Sequence, residues 1–312
     1  MSLDALPALS LKRRRADPAG FAQAMGESYA RFGFAIVRDH GLDAALITRA
    51  MAAAKAFFAL PEAMKRRYHV TGGAGQRGYI PFGVEAAKGA AKVDLKEFWH
   101  VGRELGECHR YRAYMPHNLW PEETPAFRDD VYALYEALDA LGLELLDSIA
   151  HFLDLPRGFF TNAVKDGNSV LRLLHYPPIA ANPEGIRAEA HEDINVITLL
   201  LGAEEAGLQL MTREGRWLDV NPPEGALVVN IGDMLQRLTN HKLPSTSHRV
   251  LNPTADRAHL PRYSIPFFLH FAPDYLIQTL PSCVSADNPD RYPAPISAQD
   301  FLYERLREIR LA

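Results

Sequence analysis

The densest chemistry in this sequence is His191-Glu192-Asp193, at the head of the apolar run 194–201. On an extended chain alternate side chains share a face, so His191 and Asp193 point one way and Glu192 the other. An imidazole and a carboxylate on one face can hold a divalent metal, and a second His from a distant strand would complete the set. Two His and one carboxylate occupy one face of an octahedron and leave positions open for substrate and O2, which suits non-haem Fe(II). His241, His248, His259 and His270 all lie downstream. His248 opens the strand-like run 248–251, far enough on for the chain to return through several strands. Taken alone, His-x-Asp also describes a surface His beside an acid.

A second concentration is Arg262-Tyr263-Ser264, leading into Ile265-Pro266-Phe267-Phe268. By the same alternation Arg262 and Ser264 share a face. A guanidinium fork beside a hydroxyl is a receptor for a carboxylate. Aimed into a barrel beside a metal, the pair would anchor the far end of a bidentate acid. In isolation it is equally a strand-edge Arg in solvent.

The elements that must position these residues fall into two textures. The first part of the chain is mostly helical. Asp17-Pro18 marks a helix start, with apolar residues at Phe21, Met25, Tyr29 and Phe32 and a stop at Gly33. Residues 34–37 form a short strand, and a second helix runs from about Asp43 to Phe58. Residues 71–78 are a Gly-rich loop; no Lys-Ser or Lys-Thr follows its glycines, so it is no phosphate loop. Residues 77–83 hold a short irregular strand, and 95–101 an edge strand. A long amphipathic helix follows over 127–153. From 169 to 271 short apolar runs alternate with turn clusters, the texture of a sandwich or barrel. Helix returns over 298–309 behind Ser297 as N-cap.

With 312 residues, 47% hydrophobic and 23% charged, disorder and fibrous architectures are excluded. The length fits two domains or one large barrel with a helical cover. A net charge of −4 and a pI near 6.3 argue against nucleic acid as partner. The one dense basic run, 12–15, reads as a solvated lead-in to the first helix. Two cysteines, Cys108 and Cys283, make no disulfide framework and fit a reducing compartment. No apolar stretch approaches the roughly 20 residues of a membrane helix. A soluble cytoplasmic protein with no membrane partner is expected; the oligomeric state is not legible.

In order along the chain stand Leu173-Leu174-His175-Tyr176-Pro177-Pro178, His191-Glu192-Asp193 with Ile197-Thr198-Leu199-Leu200, and Gly207-Leu208-Gln209-Leu210. Trp217-Leu218-Asp219-Val220, Val229-Asn230-Ile231-Gly232-Asp233, Leu238-Thr239-Asn240, Ser247-His248-Arg249-Val250 and Arg262-Tyr263-Ser264 follow. This series resembles the isopenicillin N synthase-like group of Fe(II), 2-oxoglutarate-dependent oxygenases. Phe32-Gly33-Phe34 and Asp39-His40-Gly41 extend the resemblance to the N-terminal region.

The resemblance implies a double-stranded β-helix, a jelly-roll barrel, with helices packed outside. The divisions are an N-terminal helical and mixed region over 1–120, a connecting helix over 121–165, the oxygenase core over 166–275 and a C-terminal extension over 276–312. His191, Asp193 and His248 fall on the iron ligands. Arg262 and Ser264 fall on the pair that grips the distal carboxylate of 2-oxoglutarate, with Tyr176 beside them. Fe(II), 2-oxoglutarate and O2 are thus the implied cofactor and cosubstrates, and oxidation of a small organic molecule with release of succinate and CO2 the implied reaction.

Three features depart from the family pattern. Leu174 stands where plant members usually carry Asn. His248 and Arg262 are further apart than usual, which reads as a longer hairpin over 252–261. Glu192 matches isopenicillin N synthase itself, which uses no 2-oxoglutarate. A cosubstrate-free oxidase is therefore the alternative, and a non-enzymatic binding barrel the remote one. Residues 78–97 distantly resemble the lid of ethylene-forming enzymes, which adds uncoupled 2-oxoglutarate breakdown. By analogy Tyr79, Phe82, Glu85, Trp99, Phe268 and His270 are candidate substrate contacts, suited to a small polar molecule. Asn230 and Asp233 are assigned to a barrel turn, and Arg249 to a structural salt bridge.

Overall fold

A computed structural model of the chain describes residues 5–73, 75–85, 93–180, 183–201 and 206–308. Strand β1 (Ala8–Ser10) and helix α1 (Leu11–Ala16) come first, and neither was legible in the sequence. The basic run lies on α1 and is not simply solvated. Arg14 is ion-paired with Glu144 at 2.8 Å and Asp147 at 2.9 Å and donates to Ser148, so it ties the N-terminus to the long helix. Helix α2 (Pro18–Phe32) starts where Asp17 accepts from the backbone of Gly20 and ends at Gly33, φ 69°. Only glycine suits that left-handed position, and a Cβ there would lie 2.1 Å from Thr246 Oγ1.

Strand β2 (Phe34–Arg38) leads to α3 (Ala44–Phe58), capped by Asp43, then α4 (Glu62–Lys65). Strands β3 (Gly78–Ile80) and β4 (Glu97–Gly102) follow. Helix α5 (Phe127–Phe152) buries Val131, Leu134, Leu138, Leu141, Leu145 and Ile149 against α2, α3 and the back of the sheet. After α6 (Phe159–Val164) come β5 (Val170–Tyr176), β6 (Ala188–His191), β7 (Ile197–Leu201), β8 (Leu208–Met211), β9 (Trp217–Asp219) and β10 (Leu227–Ile231). A short helix α7 (Asp233–Leu238), β11 (His248–Val250) and β12 (Arg262–Leu269) complete the core. A two-stranded ribbon, β13 (Leu276–Ile277) with β14 (Ile296–Ser297), carries α8 (Ala298–Glu308). Ser297 Oγ caps α8 by accepting from Asp300 N; residue 309 of the expected helix lies outside the described residues.

Two sheets carry the site. One orders β1-β2-β10-β7-β12-β5-β4-β3 and the other β6-β11-β8-β9. From β5 to β12 the chain passes repeatedly from one sheet to the other, which is the expected jelly roll, although the sheets do not close into a single hydrogen-bonded barrel. Three expectations are corrected. Strand β4 is interior, paired with both β3 and β5, and buried along its length. Residues 252–261 are a crossing, since β11 and β12 lie in different sheets, with a short 3-10 turn at Ala255–Arg257. The Gly232-Asp233 pair starts α7 and is more than a turn.

Alternation divides the strands between two cores. On β7, Ile197, Leu199 and Leu201 pack outward under α5; on β10, Leu227, Val229 and Ile231 join the same apolar cluster. The opposite face, between the sheets, is filled at one end by Phe34, Ile36, Leu208, Leu210, Val228 and Val250. At the other end the space between the sheets is polar.

Candidate metal centre

His191 closes β6 and His248 opens β11, and the two are direct cross-strand partners with ring centroids 4.4 Å apart. Asp193 lies two residues beyond β6. His191 Nε2 is 3.9 Å and His248 Nε2 3.8 Å from Asp193 Oδ1, and one ligand atom from each residue falls within 4.8 Å of the others. The Nδ1 atoms face backbone carbonyls, Glu189 O at 2.7 Å and Thr246 O at 3.1 Å. A carbonyl only accepts, so each ring donates from Nδ1 and keeps a lone pair on Nε2. Asp193 Oδ2 accepts from Thr198 Oγ1 at 2.5 Å and from Asn230 Nδ2 at 2.8 Å, which leaves Oδ1 facing the two imidazoles.

The electrostatics agree with that geometry. Burial, and then the neighbouring His248, push His191 down to about 4, so it is neutral near pH 7. Burial raises Asp193, but His248, His191, Asn230 and Thr198 outweigh it and hold the carboxyl below its ordinary value. Two imidazoles and one carboxylate, each with one donor atom turned toward the others, form a compact site. This donor set fits a divalent transition metal, and Fe(II) in particular.

Arg262 and Ser264 are also brought together. Both are buried, Arg262 Nη1 donates to Ser264 Oγ at 3.3 Å, and the guanidinium lies 5.1 Å from the centroid of the Tyr176 ring. Tyr176 is the β5 partner of Arg262. Leu174 packs with Ile80, Phe98 and Tyr176 and offers no polar contact there.

A cavity of about 430 Å³ opens beside His191 and Asp193. Of the six candidate substrate contacts, Glu85, Phe268 and His270 line it. Tyr79 and Trp99 do not: both are fully buried in the helical core around Phe57, on the opposite face of β3 and β4. Phe82 is 42% exposed and outside the lining. Residues 86–92 of the lid-like segment lie outside the described residues.

Several site residues escaped the sequence reading. Asn230, which the sequence pattern assigns to a turn, holds a carboxylate oxygen of Asp193; Thr198 does the same from its partner strand. Both are polar residues on the inner face of otherwise apolar strands, which was a usable signal. Asp233 lines the cavity, and burial pushes its carboxyl up to about 6. Arg249 donates to Gln209 and lies over the Trp217 ring, and it forms no salt bridge among the described residues, where one was expected. A charged network also walls the cavity. Lys96 pairs with Asp94 at 2.7 Å and Glu85 at 2.8 Å. Arg172 pairs with Glu85 at 3.2 Å, donates to His100 Nε2 at 2.6 Å and lies over Phe98. Burial alone would raise Glu85, but Arg172 and Lys96 hold it well below the usual carboxylate range.

Comparison with known proteins agrees with this arrangement. Residues 167–271 match the 2OG-Fe(II) oxygenase superfamily, and residues 6–123 the family described as non-haem dioxygenase in morphine synthesis, N-terminal. A 2-oxoglutarate-Fe(II) type oxidoreductase of Emericella nidulans is 35% identical over 297 residues, covering 91% of this chain and 83% of that protein. A proline hydroxylase of Petromyces alliaceus is 32% identical, with 92% of each chain covered. Among solved structures, a 2OG-Fe(II) oxygenase family protein of Caulobacter crescentus superposes with a TM-score of 0.92 at 57% identity, over 98% of this chain and 99% of that one. A Neurospora crassa protein in complex with alpha-KG and thymine superposes with a TM-score of 0.86 at 26% identity, over 98% of each.

Proposed function

The chain belongs to the 2OG-Fe(II) oxygenase superfamily and is a 2-oxoglutarate-dependent non-haem iron dioxygenase, and we propose that His191, Asp193 and His248 hold its iron while Arg262, Ser264 and Tyr176 receive the distal carboxylate of 2-oxoglutarate. The cosubstrate-free alternative is not favoured, since relatives are named for 2-oxoglutarate and solved with alpha-KG. The observation that carries the ligand assignment is the pair of imidazoles pinned through Nδ1, with both Nε2 atoms turned to the free oxygen of Asp193.

Bound Fe(II), with O2 and 2-oxoglutarate, supplies the oxidising chemistry, in which 2-oxoglutarate leaves as succinate and CO2. The chain's residues supply position. Backbone carbonyls fix the tautomer of both His rings, and Thr198 and Asn230 fix the rotation of Asp193. Arg262 and Ser264 offer a buried cationic fork and a hydroxyl to a carboxylate, with the Tyr176 ring against the guanidinium. Apolar packing of Phe34 against His248 keeps one side of the centre dry.

The substrate is a small polar organic molecule held in the 430 Å³ cavity. Glu85, Phe268 and His270 are its proposed contacts, and the mix of aromatic rings and charge on the wall supports this class. The test is Fe(II)-dependent conversion of 2-oxoglutarate to succinate, with calorimetric titration of 2-oxoglutarate under argon. Arg262→Ala should weaken 2-oxoglutarate by about tenfold or more, the scale of a charge-assisted hydrogen bond, and leave Fe(II) binding intact. Unchanged 2-oxoglutarate affinity in that variant would overturn the assignment.

A further inference from the structure

Resting on the reading of this cavity as the substrate site, we propose that the substrate carries a carboxylate, and that Arg77 is the residue that receives it. Arg77 lines the cavity and is 4% exposed. Its Nη1 donates to the backbone carbonyl of Gln76 at 2.7 Å. Its Nε and Nη2 are buried with no hydrogen-bond partner among the described residues. Those two N–H groups form one edge of the guanidinium, the edge that meets both oxygens of a carboxylate side-on.

The charge pattern of the wall isolates Arg77. The neighbouring cations, Lys96, which is buried, and Arg172, which is half-buried, are matched by Asp94 and Glu85. Among the described residues, the titratable groups that act on Arg77 besides burial are Tyr135, Arg112, Tyr132 and His100, none of them a carboxylate. Residues 86–92, which follow Glu85, contain two lysines and no acid. A buried charge without a counter-charge is costly, and a ligand that supplies one recovers that cost on binding. The fold also keeps room for the guanidinium. A Cβ on Gly102 would lie 1.9 Å from Arg77 Cζ and 2.0 Å from Nη2, so any side chain at 102 would displace it. Gln76 Oε1 and Asn168 Oδ1, of residues also in the lining, are buried without partners among the described residues and add positions for a ligand's N–H groups.

The experiment titrates Fe(II)-loaded protein with 2-oxoglutarate present, under argon, with small acids and their primary amides: benzoate and benzamide, L-proline and L-prolinamide, indole-3-acetate and its amide. At least one acid should bind about tenfold or more tighter than its amide, the scale of charge-assisted hydrogen bonding. Arg77→Gln should abolish that preference and Arg77→Lys, which keeps the charge and loses the fork, should retain part of it. The 2-oxoglutarate affinity should stay within about twofold in both variants, because Arg262 and Arg77 serve different carboxylates. Amides that bind as well as acids, no acid that binds at millimolar concentration, or an acid preference that survives Arg77→Gln would each overturn the proposal. A fall in 2-oxoglutarate affinity in Arg77→Gln would also overturn it, by assigning Arg77 to the cosubstrate. Failure of the wild type to bind 2-oxoglutarate would instead strike the oxygenase-site reading, and the acid–amide comparison on Fe(II) protein alone would still decide this one. Should Arg77→Gln fail to fold, the wild-type comparison and Arg77→Lys decide.

Discussion

Asn230 is not itself in the proposed ligand set, yet its loss should be felt first in metal affinity. Its Nδ2 donates to Asp193 Oδ2 at 2.8 Å in a site where both residues are buried. A hydrogen bond to a charged group contributes about 1.5–3 kcal/mol, and about 1.4 kcal/mol is a tenfold change in an equilibrium constant. Loss of the whole contribution would weaken Fe(II) by roughly 10- to 150-fold. The Thr198 hydroxyl still holds the same oxygen at 2.5 Å, so Asn230→Ala should sit at the low end, about tenfold. Thr198→Val should cost a similar amount, and the double variant more than about a hundredfold, since Asp193 is then free to rotate. The assay is competition for Fe(II) against a chromophoric chelator under argon, paired with succinate formation at rising Fe(II). Saturating Fe(II) should restore turnover in Asn230→Ala, a recovery that damage to the fold alone would not give. Fe(II) affinity within about twofold of wild type in the double variant would refute the reasoning.

Three further outcomes follow from the same geometry. Glu97 is buried among Lys65 Nζ at 2.7 Å, His175 Nδ1 at 2.7 Å and the Tyr79 hydroxyl, and Glu97→Gln should lower stability by about 3 kcal/mol by leaving Lys65 without its buried partner. Burial raises the Glu97 carboxyl, but His175, Lys65 and Tyr79 outweigh it and the folded value is depressed. Its contribution is therefore present above the unfolded value of about 4.3 and is lost as pH falls through the folded one, so urea titrations should show a shallower acid slope in the variant. Gly142→Ala would place a Cβ 2.3 Å from Leu269 Cδ1 and should cost about 1–3 kcal/mol, seen as a lower Tm with normal Fe(II) affinity. Fe(II) at about 100 times its Kd should stabilise the folded protein by about 2.7 kcal/mol in thermal unfolding, and His248→Ala should lose that gain; an equal shift in the variant would remove His248 from the ligand set.

The proposed ligand cluster was legible because period two puts His191, which ends β6, and Asp193, two residues beyond it, on one face, and the ordered family motifs then bring in His248. The helices were legible for a related reason. Asp17, Asp43 and Gly33 supply caps whose side-chain or backbone chemistry is local, and the 3.6-residue stripe of α5 is long enough to average out exceptions. Strand β1 and helix α1 were not, because a three-residue strand and a basic six-residue helix carry too few apolar positions to show a period. Their placement comes from tertiary contacts, the pairing of β1 with β2 and the clamp of Arg14 on Glu144 and Asp147, which no local pattern encodes.

The misplaced substrate contacts have a more specific cause. Strand β4 is buried on both faces, so Phe98, Trp99, His100 and Val101 show no inside and outside in their own hydropathy. Its phase is set by its partner. In the β4–β5 register, Phe98 stands opposite Leu174 and His100 opposite Arg172, on the cavity side, while Glu97 and Trp99 stand opposite His175 and Leu173, on the helical side. Reading Trp99 as a contact therefore required only a one-residue error of phase, which exchanges the two faces completely. The correct phase has a chemical trace in the sequence: His100, Arg172 and Gly102 share a face, and a glycine in a buried strand marks close approach by another group. At Gly102 that group is the guanidinium of Arg77. The polar end of the jelly roll is thus specified by pairs of positions on different strands, and it becomes visible only once the register that pairs them is known.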